Sequence, residues 1–297
     1  MSDAYRELID STIQHLEDLK ASGTRCVSVH PETLASLTAP ASKPQARMTA
    51  PAPAPAAAAT VIQKPALPKP VAPLIELVPV APPKPAVLNA EAKAEAIADL
   101  RTRAMACVKC PNLASSRKNV VFGVGDINTE LMFVGEAPGQ DEDEQGEPFV
   151  GKAGQLLTKI IQTMGYSRST VYIANILKCR PDTPGQTAGN RKPTPEEMKT
   201  CLPYLLAQID LIQPRVIVAL GGTAVEGLFG KGEGITKLRG RWKEFRGIPV
   251  MLTFHPSYLL RNMALSEKRK VWEDMLQVLE RLGQPISEKQ RGYFLKA

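Results

Sequence analysis

This sequence predicts an α/β fold, a three-layer sandwich built on a central, mostly parallel four-stranded sheet. Three observations carry the prediction. Four short runs, Leu131–Val134, Val171–Ala174, Val216–Leu220 and Val250–Phe254, are apolar almost without interruption. Strands wet on one face alternate, whereas strands covered on both faces read as continuous apolar runs. Helical patterns lie between them, at 154–164, 195–212 and 222–229, and such alternation builds parallel sheets with helices on both sides. Finally, polar residues gather directly after the strands: the Gly135–Gly139 turn, Asn175, Gly221 with Gly222, and His255 with Pro256 and Ser257. In folds of this class ligands bind beyond the carboxyl ends of the strands.

The chain reads as three parts. Residues 1–37 form a short helical N-terminal segment in which Leu8, Ile9, Ile13, Leu16 and Leu19 share one stripe. A stripe of that kind serves a local contact or the docking of a protein partner, and the sequence does not separate the two. Residues 38–88 are an Ala/Pro-rich linker. Alanine buries little and proline removes backbone donors, so this stretch cannot offset its ordering entropy and is expected to be a disordered tether. Residues 89–297 are long enough for one compact domain. Within it, a helical run over 89–106 ends at the first of four cysteines, and Gly165 stops the 154–164 pattern. Thr194, Pro195 and Glu197 form a helix-start signal. Pro203 is expected to kink or restart that helix.

A net charge of +7 and a pI of about 9.1 suit a polyanionic partner without specifying one. No apolar run reaches the ~20 residues of a membrane helix, and the N-terminus lacks a signal-peptide pattern. A cytoplasmic, reducing setting is therefore expected, with no membrane partner and no disulfide framework.

One motif is a decoy. Gly146–Ala153 matches the glycine-rich phosphate loop, but Ala153 stands where a magnesium-holding Ser or Thr belongs, and an acidic run precedes it instead of a strand. Cys107 and Cys110 form a chelating pair, whereas Cys179 and Cys201 are single. That spacing fits zinc, an iron–sulfur cluster or buried free thiols about equally. His255 is the one imidazole of the folded domain. A lone histidine is usually structural, yet this one directly follows a buried strand at the ligand-binding end and suits an electrophile or general acid. Glu136 and Asn175 end the first two strands, which brings them toward it. Phe149 is either core or a stacking face for a planar base.

Five stretches together resemble the iron–sulfur, family 4 uracil-DNA glycosylases: GEAPGQDEDEQGEPFVGKAGQLL (135–157), YIANILKCRP (172–181), NRKPTPEEMKTCLPYL (190–205), ITKLRGRW (235–242) and TFHPSYLLR (253–261). They run in the family's order over nearly all of the region from Cys107 to Arg261. The resemblance implies that 89–297 is a uracil-DNA glycosylase-like catalytic domain. It also implies that Cys107, Cys110, Cys179 and Cys201 ligate a [4Fe–4S] cluster. Glu136 and Ala137 would line the base pocket, with Glu136 helping to place the attacking water, Glu142 would fall on a substrate-site position, and Phe149 would stack on uracil. Asn175 would bond the base edge and reject cytosine, while Asn190 would sit near sugar and water. His255 would stabilise charge on the uracil O2 side. The loop Pro256–Arg261, with Ser257, Leu259, Leu260 and Arg261, would meet DNA as a wedge. The implied activity is that of a monofunctional glycosylase, expected to work as a monomer on uracil-containing DNA and to leave an abasic site. The alternatives are a broader deaminated-base glycosylase of the same superfamily or a non-catalytic iron–sulfur nucleic-acid-binding module. The segment before residue 89 and DTPGQTAG (182–189) lie outside the family's pattern.

Overall fold

The computed structural model describes residues 89–182 and 190–295. The expected N-terminal helix and tether, and most of the DTPGQTAG insertion, lie outside the described residues. Among the described residues the chain order is α1 (Ala90–Met105), α2 (Pro111–Ser116), β1 (Val124–Gly125), β2 (Leu131–Gly135), α3 (Gln140–Gln145), α4 (Lys152–Thr163), β3 (Tyr172–Asn175) and α5 (Pro195–Ile212). It continues with β4 (Val216–Leu220), α6 (Gly222–Phe229), α7 (Ile235–Leu238), β5 (Trp242–Phe245), β6 (Ile248–Thr253), α8 (Pro256–Arg261), α9 (Leu265–Leu282) and α10 (Glu288–Gly292).

The four expected strands are β3, β2, β4 and β6, and they pair in parallel in that order. Two short antiparallel edge strands, β1 beside β3 and β5 beside β6, extend the sheet to six. Neither edge carries an apolar run. β1 is two residues long, and β5 is half wet. The β5–β6 hairpin turns on Arg246 and Gly247, both with positive φ (54° and 78°), which matches a two-residue turn to the sheet's twist.

Alternation along the central strands sorts side chains to two cores. Leu131, Phe133, Ile173, Val216, Val218 and Met251 face α4 and α9, meeting Leu157, Ile161, Trp272, Met275 and Leu279. Met132, Val134, Ala174, Ile217, Ala219 and Leu252 face α5 and α6, meeting Leu205, Ile209, Ala224 and Val225. Covering both faces is what made the strands uniformly apolar. Helix α5 begins at the expected capping box of Thr194 and Glu197, but it runs through Pro203 as one helix. The expected restart does not occur: packing of Leu205, Ile209 and Ile212 on the sheet outweighs the one backbone bond that proline removes. No helix among the described residues is long and apolar enough to cross a membrane.

The connection after β2 leads outward to β3, whereas that after β4 leads the other way to β6. This reversal makes a crevice at the carboxyl ends of β2 and β4, the place where open α/β sheets bind ligands.

Candidate active site

A cavity of about 610 Å³ opens at that crevice. Its wall includes Glu136, Ala137, Glu142, Phe149, Asn175, Asn190, His255, Ser257 and Arg261. Two glycines let the outer strands close over it. Gly135 is paired with Asn175 in register, and a Cβ there would lie 2.4 Å from both Asn175 Oδ1 and Phe149 Cζ. At Gly221, with φ of +90°, a Cβ would lie 2.9 Å from the Cβ of His255. Any larger residue at Gly135 or Gly221 would push the functional side chains out of place.

Asn175 is 2% exposed, and its Oδ1 has no hydrogen-bond partner although it is buried. An unsatisfied buried acceptor costs about 1–3 kcal/mol, so a ligand donor at this point recovers that loss. Behind it, Lys178 is 1% exposed and donates to the Asn175 carbonyl at 3.0 Å and to Gln208 Oε1 at 2.6 Å. Its ammonium group is thereby committed within the fold, and burial pulls its pKa down to about 8.

His255 caps α8. Its Nδ1 accepts from the Ser257 amide at 3.1 Å and lies 2.8 Å from Ser257 Oγ. An amide can only donate, so the proton of the neutral ring sits on Nε2, free to donate into the cavity. Burial first, and then the Arg261 charge, lower the ring's pKa to about 4. The ring is therefore a neutral donor across the neutral range. A depressed pKa means that the folded ring gains its proton only as pH falls through about 4. The single-turnover rate should accordingly show no inflection near pH 6.5, where an unperturbed histidine titrates. A rate that changes tenfold per unit through that region would assign the donor as an imidazolium instead.

Phe149 is 6% exposed, with its ring centroid 5.5 Å from that of His255. Its φ of 55° lies in the left-handed region, a strain on the order of 1–3 kcal/mol for a side chain of this size. The loop holds this shape because its neighbours grip it. Glu142 accepts from the amides of Gly139, Val150 and Gly151 at 3.0, 2.9 and 2.9 Å. Amides that a phosphate-binding loop would offer to phosphate are thus taken by a carboxylate, and the loop follows α3 instead of a strand. Gly154 allows the close approach, since a Cβ there would lie 1.9 Å from the Phe149 carbonyl.

Asn190 borders the cavity mouth, and its Oδ1 accepts from Arg180 Nε at 3.1 Å. Arg191, next to it, is forked onto Glu197 at 2.8 and 2.5 Å, which anchors the strand leaving the insertion to the start of α5. The two leucines of the expected wedge part company. Leu259 is 5% exposed and packs with Phe254 and Val271, whereas Leu260 is 43% exposed. About 100° apart on this helix, Leu259 turns toward the core and Leu260 away from it.

The four cysteines converge beside this site. Cys110, Cys179 and Cys201 pack with Leu113, Val120, Leu177, Tyr204 and Ala137 of the cavity turn. Burial pushes the Cys201 thiol up to about 12 and raises Cys110 and Cys179, and each also feels another cysteine's charge. Cys107 is near enough that its charge acts on Cys110 and Cys179. Arg117 donates to Cys179 Sγ at 3.1 Å and to the Cys107 carbonyl at 2.7 Å, and the Lys178 amide donates to Cys201 Sγ at 3.2 Å. Buried thiols so close together ionise only against a strong cationic centre. A donor set of four thiols with N–H groups aimed at two sulfurs fits a thiolate-bound iron–sulfur group. Among the described residues no three or more His, Cys, Asp and Glu side chains stand close enough to hold a metal ion, so the cysteines fit such a group by their chemistry and not by their spacing.

A two-sided sheet with a cavity at its switch point and cysteines beside it defines an α/β domain, and residues 122–276 match the model of the uracil DNA glycosylase superfamily. A type-4 uracil-DNA glycosylase of Thermotoga maritima is 49% identical over 175 residues, which are 58% of this chain and 88% of the relative. Type-4 enzymes of Archaeoglobus fulgidus and Sulfurisphaera tokodaii are 41% and 40% identical, over 59% and 68% of this chain and 88% and 91% of their own lengths. The chain belongs to the uracil-DNA glycosylase superfamily, on its type-4 branch.

Proposed function

We propose that this protein is a monofunctional glycosylase that flips uracil out of DNA and hydrolyses its N-glycosidic bond, the first step of base excision repair. The observation that carries this reading is the orphaned Asn175 acceptor. Uracil presents an imide N3–H to such an acceptor, beside a carbonyl that the same amide's NH2 can bond. Cytosine presents an acceptor and an amine instead, leaving the amide mismatched on both atoms, and sites built this way discriminate sharply.

In the reaction the C1′–N1 bond breaks with its electron pair leaving on the base. Negative charge grows on uracil while the sugar becomes oxocarbenium-like. Phe149 supplies the stacking face, and His255 donates from Nε2 to the O2 side, where the charge appears. Glu136 and Asn190 hold water for the sugar carbon, which gains the hydroxyl while the water's remaining proton ends on the released uracil. Glu142 keeps the surrounding loop in place. Among the described residues the cations in the cavity wall are Arg191 and Arg261, so no lysine amine is offered to form a Schiff base.

Cys107, Cys110, Cys179 and Cys201 would hold a [4Fe–4S] cluster, which when bound supplies a structural anchor between α1, the segment after β3, and α5. Ser257 and Arg261 would line the approach of a DNA strand, with Leu260 filling the space the base leaves. We expect Leu260→Ala to slow excision several-fold on duplex DNA and little on single strands, since only the duplex must be unstacked. Equal losses on both would assign Leu260 another role. We place the enzyme in a reducing cytoplasm, acting as a monomer, with the N-terminal segment available to a protein partner.

The test is release of free uracil from an oligonucleotide carrying one uracil, followed by alkaline cleavage of the abasic product, with borohydride in a parallel sample. Released uracil without a trapped complex supports the proposal. No release from cluster-loaded protein would leave a non-catalytic binding module.

A further inference from the structure

Arg168, in the loop between α4 and β3 and outside the cavity lining, donates from Nη1 to the Phe149 carbonyl at 2.9 Å and from Nη2 to the Pro148 carbonyl at 2.7 Å. On the same loop, Glu142 accepts the next two amides, Val150 and Gly151. Four successive residues, 148–151, are therefore each held by one backbone group, two carbonyls by a cation and two amides by an anion. The Arg168 fork spans the left-handed Phe149, whose ring faces the cavity beside His255. The Arg168 guanidinium is half-buried; burial lowers its pKa, and the charges of Glu147 and Glu142 offset part of that cost.

We infer that Arg168 is a positioning residue for base recognition, which fixes the plane of the Phe149 ring by clamping the carbonyls on either side of its Cα. The inference rests on the uracil-excision reading above. A side chain in a strained backbone state keeps one orientation only while the surroundings over-determine it. Removing the fork leaves Glu142 as the sole grip, and the loop can relax about Phe149. A planar fork matches two adjacent carbonyls, whereas a lysine ammonium on its flexible stem reaches them less rigidly.

The experiment compares wild type, Arg168→Met and Arg168→Lys, all loaded with cluster, in single-turnover uracil release, inhibition by free uracil, melting temperature, and hydrogen exchange at the Val150 and Gly151 amides. Arg168→Met should lose about ten- to a hundredfold in rate, the scale of a 1 Å misplacement. It should need a higher uracil concentration for inhibition and exchange faster at 150 and 151, with Arg168→Lys intermediate in all three. Folded Arg168→Met with rate and uracil inhibition within about twofold of wild type overturns the inference, as does a lowered melting temperature whose rate loss only tracks the unfolded fraction. If Arg168→Met does not fold, Arg168→Lys decides: wild-type rate and inhibition overturn it. If wild type itself releases no uracil, the function reading fails, and exchange at 150 and 151 alone judges the clamp: unchanged exchange overturns it and faster exchange supports it.

Discussion

His255→Ala lowers the single-turnover rate of uracil release by about 10²–10³-fold, the usual cost of losing one preorganised donor to a developing anion, and leaves DNA affinity nearly unchanged. The split follows from where the charge is. In bound DNA the uracil O2 is a neutral carbonyl, and Nε2–H gains little from it. As the C1′–N1 bond breaks, O2 becomes part of an anion beside the buried ring, and the same donor becomes far stronger. The ring needs no reorganisation at that moment. Ser257 already fixes its tautomer, and burial with Arg261 already keeps it neutral. Loss of the Nδ1 cap costs α8 some stability too, so the rate is read on folded protein. A near-wild-type rate there would make His255 a helix cap and nothing more.

Cys201→Ser removes the visible absorption of the cluster and lowers the melting temperature by about 10 °C or more, taking 2–4 °C per kcal/mol for a domain of this size. Cys201 lies on α5, Cys179 follows β3, and Cys107 and Cys110 lie between α1 and α2. A group held by all four adds a link between three parts of the chain that already meet in apolar packing, α1 on α5 through Leu100, Ala104, Ala207 and Leu211, and the end of β3 on α5 through Ile176, Leu205 and Ile209. Removing one ligand leaves buried sulfurs without a cation, and the metal's contribution to folding is lost. Because Ala137 packs with Cys110, Cys179 and Cys201, uracil release should fall with the cluster. A colourless wild type as stable as Cys201→Ser would contradict the assignment.

Much of this site was legible because it stands on strand ends. Glu136, Asn175 and His255 follow uniformly apolar runs, and parallel pairing brings such ends together. The edge strands were not legible: Val124–Gly125 is too short for a pattern, and Trp242–Phe245 mixes wet and dry positions. Helix α9 is absent from the sequence reading, although Val271, Trp272, Met275, Leu279 and Leu282 give it a full apolar stripe. It carries no motif residue and only completes the second layer. Leu259 and Leu260 read alike in sequence, and only packing on Phe254 and Val271 separates them. Arg168 was invisible for another reason. It works through the carbonyls of Pro148 and Phe149, and a carbonyl acceptor leaves no trace in residue type.

The reading of the base by Asn175 is tested most directly by single-turnover excision from three duplexes alike except at one position, which carries uracil, N3-methyluracil or cytosine. The unpartnered Oδ1 requires a donor at N3. Uracil should be excised, and N3-methyluracil and cytosine should be left in place, both lacking that donor. Excision of N3-methyluracil at a rate comparable to uracil would contradict the central claim that this buried amide selects the base.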